Sequence, residues 1–219
     1  MITVLLLLIA AYLLGSIPSA VWIGRRFYGT DVREHGSRNA GATNTLRVLG
    51  LRAAIPVFAL DVLKGVAAVA LEWFSHYWTP HFENHTPQMY SLEIGLAAAA
   101  VLGHMFPLFA SFRGGKGVST LAGAVTAMHP LAVGICFAIF CIVLFIMHYV
   151  SLASITAGVC FPFVLVFMMH VHNMLMILFS VGIAVLLLWT HRKNIRRLLN
   201  STENRIYIFK HHNHAGESY

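Results

Sequence analysis

Residues Ile2–Ile23 contain no Lys, Arg, Asp or Glu, and this run constrains the chain more than any other feature. About 20 helical residues cross the ~30 Å hydrocarbon layer of a membrane. Comparable apolar runs recur at about Ala53–Phe74, Ser91–Ala110, Leu131–Met147, Ile155–Met169 and Met174–Trp189. A backbone in lipid must satisfy its own hydrogen bonds, so each run reads as a helix. A further run, Val118–Met128, would make a helix of only ~16 Å. Either it begins inside the glycine turn before it, or it is a short helix that does not cross fully. His129-Pro130 ends it. The expected fold is all-α: a polytopic integral membrane protein with seven transmembrane helices. It forms one domain over residues 1–219, with a basic tail from 191 to 219. Composition agrees, with 58% hydrophobic and 11% charged residues, where a soluble domain carries roughly a quarter charged.

Charge placement gives the expected orientation. Loop one, Gly24–Arg52, holds Arg25, Arg26, Arg33, Arg38, Arg47 and Arg52; the glycine loop holds Arg113 and Lys116. The tail holds Arg192, Lys193, Arg196, Arg197, Arg205 and Lys210, so these three segments carry all but one of the 15 basic residues. Seven spans put the three on one side, which the positive-inside rule makes the cytoplasm, with the N-terminus outside. The first span lacks the basic leader of a signal peptide, and its charges follow it. Basic loops of this kind explain the net charge of +7 without a nucleic-acid partner. The remaining cation, Lys64, lies three residues after Asp61 inside span two, on the same helix face, where each neutralises the other. Pro18, Pro56, Pro107 and Pro162 lie in or beside spans and are expected to kink or start helices. Cys136, Cys141 and Cys160 sit in apolar runs without metal-ligand spacing and read as core or lipid-facing thiols. No internal repeat is present.

Four polar stretches interrupt this apolar frame. In Gly103–Thr120, GHMFPLFASFRGGKGVST, glycines free the backbone to turn its N–H groups inward while Arg113 and Lys116 add charge. The helix that follows points its N-terminus at the same place, which suits a phosphate. A positively charged turn that fixes topology is the plainer alternative. The P-loop template fails twice, because Ala110 stands at its first glycine and Gly117 at its Ser/Thr position. In Gly36–Gly50, Ser37, Asn39, Thr43, Asn44 and Arg47 offer many donors to an oxyanion; the alternative is a capped turn entering an interfacial helix. His191 and Asn194, three apart, share a helix face just past span seven, beside an amphipathic stripe. Ser151 and Ser154 open span six after a polar notch, His148–Ser154. No nucleophile elbow occurs. His104 has Phe109, not Asp, where a His-x4-Asp acyltransferase would have its acid. His211, His212 and His214 read as a tail with no metal site.

At these residues the chain resembles the acyl-phosphate-dependent glycerol-3-phosphate acyltransferases of bacterial inner membranes. The resemblance runs from Gly15-Ser-Ile-Pro-Ser-Ala20 to Thr202-Glu203. It rests on Gly36-Ser37-x-Asn39-x-Gly41-Ala42-Thr43-Asn44, Gly103-His104-x-x-Pro107, Phe112-Arg-Gly-Gly-Lys-Gly117 and His191-x-x-Asn194. Arg38, Ala40 and Asn200-Ser201 depart from the usual pattern. The resemblance implies seven transmembrane helices and transfer of a fatty acyl group from acyl phosphate to the 1-hydroxyl of sn-glycerol 3-phosphate. Lysophosphatidic acid is then the product, made without cofactor or metal and without CoA or acyl carrier protein as direct donor. It further implies that Ser37, Thr43, Arg47, Gly114, Lys116 and Ser154 surround the acyl phosphate, with His191 and Asn194 on the glycerol phosphate side. Arg113 and Glu203 assist either pocket, and Asn39, Gly41, Asn44, Gly115 and Gly117 complete the phosphate-binding set. Either a donor phosphate oxygen or His191 takes the hydroxyl proton. The acyl chain is expected between spans, open to the bilayer.

Two other classes compete. An organic-phosphate transporter needs an outward path and usually paired halves, and neither a repeat nor outer basic residues are present. A scaffold binding anionic lipid through its tail leaves four converging polar stretches unexplained.

Overall fold

The computed structural model describes residues 2–78 and 87–206, and among these it is entirely helical, with no strand. The helices are α1 (Ile2–Gly15), α2 (Ser19–Tyr28), α3 (Ala42–Leu49), α4 (Leu51–Ala70), α5 (Trp73–Trp78), α6 (Pro87–Met105), α7 (Val118–Met128), α8 (Pro130–Met147), α9 (Val150–Phe163), α10 (Met174–Thr190) and α11 (Arg192–Leu199). Five segments are long and apolar enough to cross a membrane: Ile2–Tyr28, Leu51–Ser75, Met89–Ala110, Pro130–Met147 and Val150–Met168. A sixth is the pair α10 and α11, bent by 61°.

Several sequence expectations change. Span one is two helices, broken at Ser16–Pro18, where the proline ring removes a backbone donor. The polar notch His148–Ser154 is mostly helix: α9 starts at Val150 and carries Ser151 and Ser154 on its first turns. The helix at Val118–Met128 starts after the glycine turn, not inside it. Gly117 precedes it with φ +80°, a left-handed turn open to glycine, and Leu121 N–H donates to Gly117 O. Pro162 lies inside α9, which continues into a π-helical turn at Val164–Met168. Residues 79–86, on the segment without basic residues, and the histidines at 211–214 lie outside the described residues.

Small residues set how the helices meet. An added Cβ on Gly65 would lie 2.0 Å from Thr120 O, and one on Gly123 2.0 Å from Val62 O. α4 and α7 therefore touch backbone to backbone, as α1 and α6 do at Gly15 and Gly103. Close approach of this kind is how spans associate where burial from water supplies no drive. Leu7, Ala11, Leu92, Leu96 and Ala100 fill the α1–α6 seam. A larger cluster, with Met105, Leu121, Phe161, Leu165, Met176 and Leu187, joins α6 to α10. Phe145, Ile146 and Phe167 face outward, two-thirds or more exposed, as lipid-facing side chains do. Asp61 and Lys64 pair at 2.7 Å inside α4, both buried. The consequence for function is that the close α4–α7 contact carries the N-terminus of the short helix, and the glycine loop before it, to the same end of the bundle as loop one and α11.

Candidate active site

Loop one is built around two side chains. Asp31 accepts from Arg33 N–H at 2.9 Å and pairs with the Arg33 and Arg25 guanidiniums at 2.8 Å each. The Arg33 hydrogen bond holds its carboxyl well below the usual carboxylate range. Arg33 also donates to Ala110 O at 2.7 Å, tying this loop to the short helical turn Leu108–Ala110 that follows α6. Asn44, buried in α3, donates to Val32 O and His35 O and accepts from Ser37 N–H at 2.8 Å. Its polar atoms are spent on the loop's own backbone. The turn thus held presents Ser37, Asn39, Gly41, Thr43 and Arg47 to a cavity of about 600 Å³.

The glycine loop works differently from the sequence expectation. Gly114 N–H donates to Met105 O at 3.2 Å and Gly115 N–H to His104 O at 3.1 Å, so these two donors are committed inside the protein. They are glycines because of space: a Cβ at Gly114 would lie 2.0 Å from His104 O, and one at Gly115 2.1 Å from His104 Nε2. Gly115, Lys116 and Gly117 line the cavity, whereas Gly114 does not. Arg113 is exposed and stands outside it. The donors this position still offers to the cavity are Lys116 Nζ and the first-turn amides of α7, which have no partner within their own helix.

The third wall comes from the corner between α10 and α11. Lys116 Nζ donates to Asn194 Oδ1 at 2.6 Å, and Asn194 Nδ2 donates to Glu203 Oε1 at 2.7 Å. Glu203 also accepts from Ser151 Oγ at 3.0 Å, meets Arg197 at 2.8 Å and lies 3.8 Å from Arg47. One buried carboxylate therefore gathers Arg47, Ser151, Asn194 and Arg197 from three helices, α3, α9 and α11. Burial pushes Lys116 down to about 8, with Glu203 opposing the shift; burial also lowers Arg47, which stays charged. His191 caps the corner and is buried, which pushes it down to about 4, so its ring is neutral near pH 7. Its Nδ1 lies 2.9 Å from Leu187 O. A carbonyl only accepts, so Nδ1 carries the proton and Nε2 is left as an acceptor. Ser154 donates its hydroxyl proton to Val150 O at 2.9 Å, leaving only lone pairs for a partner.

Of the fifteen residues expected at the site, thirteen line this one cavity, all but Arg113 and Gly114. Asn44 among them serves the loop's backbone. Arg197, Ser151, His104 and Asp61 also line the cavity but were not expected there. Arg197 was within reach: His191, Asn194 and Arg197 follow a three-residue spacing that keeps one helix face. The cavity opens into an apolar groove of about 150 Å³ between α7, α8, α9 and α10, sharing Phe58, Val118, Ser119, Phe140 and Ser154 with it. Its walls include Leu121, Val125, Phe137, Phe161 and Leu187. A cationic, hydrogen-bonding chamber joined to an apolar slot suits an amphiphile with an anionic head.

The family model for glycerol-3-phosphate acyltransferase matches residues 5–201. The chain belongs to that family. A glycerol-3-phosphate acyltransferase of Chlorobium phaeobacteroides is 38% identical, with 96% of this chain and 100% of the relative covered. One from Listeria welshimeri is 42% identical over 94% of this chain and 98% of its own length. A crystal structure of PlsY (YgiH), an integral membrane glycerol 3-phosphate acyltransferase in its glycerol 3-phosphate form, superposes with a TM-score of 0.79 at 35% identity, covering 93% of this chain and 96% of that one. The lysophosphatidic acid form of PlsY gives 0.77. The acyltransferase thus shares both the fold and the family of an integral membrane enzyme of lipid biosynthesis.

Proposed function

We propose that this acyltransferase moves a fatty acyl group from acyl phosphate to the 1-hydroxyl of sn-glycerol 3-phosphate, releasing lysophosphatidic acid and phosphate. The observation that carries the reading is the junction of the cationic cavity with the apolar groove. A donor with a phosphate head and a long tail fits across that junction, its carbonyl near Ser119 and Ser154 where the two spaces meet. Two phosphates need two sets of positive groups, and Arg47, Lys116 and Arg197 supply charge that Glu203 does not cancel, the other lining carboxylate, Asp61, being paired with Lys64.

The hydroxyl oxygen attacks the acyl carbon, the bond from that carbon to the phosphate oxygen breaks, and phosphate departs. Lys116, the α7 amides and Arg47 stabilise the charge on the departing phosphate. Ser37 and Thr43 orient its oxygens. His191 Nε2 accepts a hydrogen bond from the acceptor molecule, with Asn194 beside it. A ring held at about 4 is a weak base, so the hydroxyl proton passes to an oxygen of the departing phosphate. Of the two bases left open by sequence, this reading favours the substrate.

The same reading sets the chain in a bacterial inner membrane with seven transmembrane segments, α1–α2, α4–α5, α6, α7, α8, α9 and α10. The N-terminus lies outside, and the cavity and the tail from residue 191 face the cytoplasm. Support comes from the basic residues of loop one, the glycine loop and the tail, which meet at one end of the bundle. The test is Lys116→Ala in purified, membrane-inserted protein. Turnover of palmitoyl phosphate with glycerol 3-phosphate should fall by about a hundred- to a thousandfold; wild-type turnover would break the assignment of the cradle.

A further inference from the structure

Behind Lys116 the cavity wall holds a buried polar cluster that takes no part in the acyl transfer described above. His104, from α6, places Nδ1 3.1 Å from Thr120 Oγ1 of α7 and 3.6 Å from Asp61 Oδ1 of α4. The same Asp61 oxygen accepts from Ser19 Oγ of α2 and from Lys64 Nζ, and Lys64 also reaches Ile17 O at 2.9 Å. All four of Asp61, Lys64, His104 and Thr120 are buried. Burying this many polar groups inside a bundle of spans is costly, and apolar side chains of equal volume would hold the helices together at least as well.

The other side of the ring meets the glycine loop. His104 Nε2 fills the place of a Cβ on Gly115, and the His104 carbonyl accepts Gly115 N–H and closes off the place of a Cβ on Gly114. One residue therefore touches the loop at Gly114 and Gly115 and the first turn of α7 at Thr120, with Lys116 between them. Lys116 itself makes a single side-chain bond, to Asn194, so its position depends on the loop that carries it.

We infer that His104 is a positioning residue: it braces the Gly114–Thr120 loop at both ends, with Asp61 fixing the ring, so that Lys116 and the first-turn amides of α7 face the cavity. This rests on the reading of Lys116 as a phosphate ligand. A misplacement of about 1 Å in such a group costs on the order of a hundredfold in rate.

The test compares His104→Asn, whose amide sits near the place of Nδ1, with His104→Gln, whose amide sits near Nε2, and with His104→Phe. Two quantities are read on purified full-length protein: kcat with glycerol 3-phosphate, and the rate at which an amine-reactive reagent labels Lys116, followed by mass spectrometry. The inference predicts that Gln and Phe lower kcat by about ten- to a hundredfold and speed Lys116 labelling by about tenfold, while Asn stays within a few-fold of wild type on both. Unchanged labelling despite lost activity, Asn no better than Gln, or full activity in all three variants would each overturn it. If the Phe variant does not fold, the Asn–Gln comparison decides. A wild-type protein inactive on glycerol 3-phosphate would break the proposed reaction, while the labelling rates would still test the brace.

Discussion

Glu203→Gln isolates the electrostatics of the cavity, because it keeps the side chain's shape and removes its charge. In the wild type, burial lowers Lys116 to about 8 and Glu203 resists that shift. The two groups are separated by the Asn194 amide, with bonds of 2.6 Å and 2.7 Å on either side, so the charges lie roughly 7 Å apart. At an effective dielectric constant of about 20, their attraction is about 2 kcal/mol, or roughly one to two pH units. The sign follows directly. Lys116 is charged below about 8 and neutral above, so activity that needs the ammonium falls as pH rises through that value. Losing Glu203 lowers the Lys116 value further, and the alkaline limb of kcat/KM moves to lower pH by roughly one to two units. The assay is initial rate of phosphate release from pH 6 to 10, at fixed ionic strength, on protein checked for an unchanged elution profile. An alkaline limb that stays in place, or moves to higher pH, would refute the reasoning.

Asn44→Ala should cost about 1–3 kcal/mol of stability by leaving Ser37 N–H without its partner and taking one hydrogen bond each from Val32 O and His35 O. A lowered melting midpoint checks this, and a normal midpoint with weakened substrate binding would contradict the structural role. Gly158→Val should narrow the groove, since a Cβ there meets Leu187 Cδ1 at 2.1 Å. KM for a palmitoyl donor should rise by about tenfold and more than KM for an octanoyl donor; equal effects on both would remove the acyl chain from the groove. For topology, Asn84→Cys should react with impermeant thiol reagents from outside intact cells, and labelling from inside alone would invert the orientation.

The membrane frame was legible because lipid allows few solutions: long apolar runs must be helices, and 14 of the 15 cations sit on three segments. The Asp61–Lys64 pair was legible for the same reason, as local spacing alone brings the two together. The roles of the glycines were not. Gly114 and Gly115 read as open donors in sequence, yet the end of α6 consumes both N–H groups, Met105 O taking that of Gly114 and His104 O that of Gly115. Arg113 stands beside them in the chain, but the loop turns it outward. Asn44 looked like a ligand because its partners, one N–H and two carbonyls, are main-chain atoms, which the sequence does not display. Glu203 gathers side chains from three helices, and such long-range convergence follows from packing rather than from any local pattern.

The account stands most directly on one assay: purified protein with palmitoyl phosphate and labelled glycerol 3-phosphate, run beside palmitoyl-CoA. It predicts labelled lysophosphatidic acid and one phosphate per product from acyl phosphate alone. Product from palmitoyl-CoA alone would contradict the donor, and no product from either, with label instead crossing reconstituted vesicles, would contradict the reaction itself.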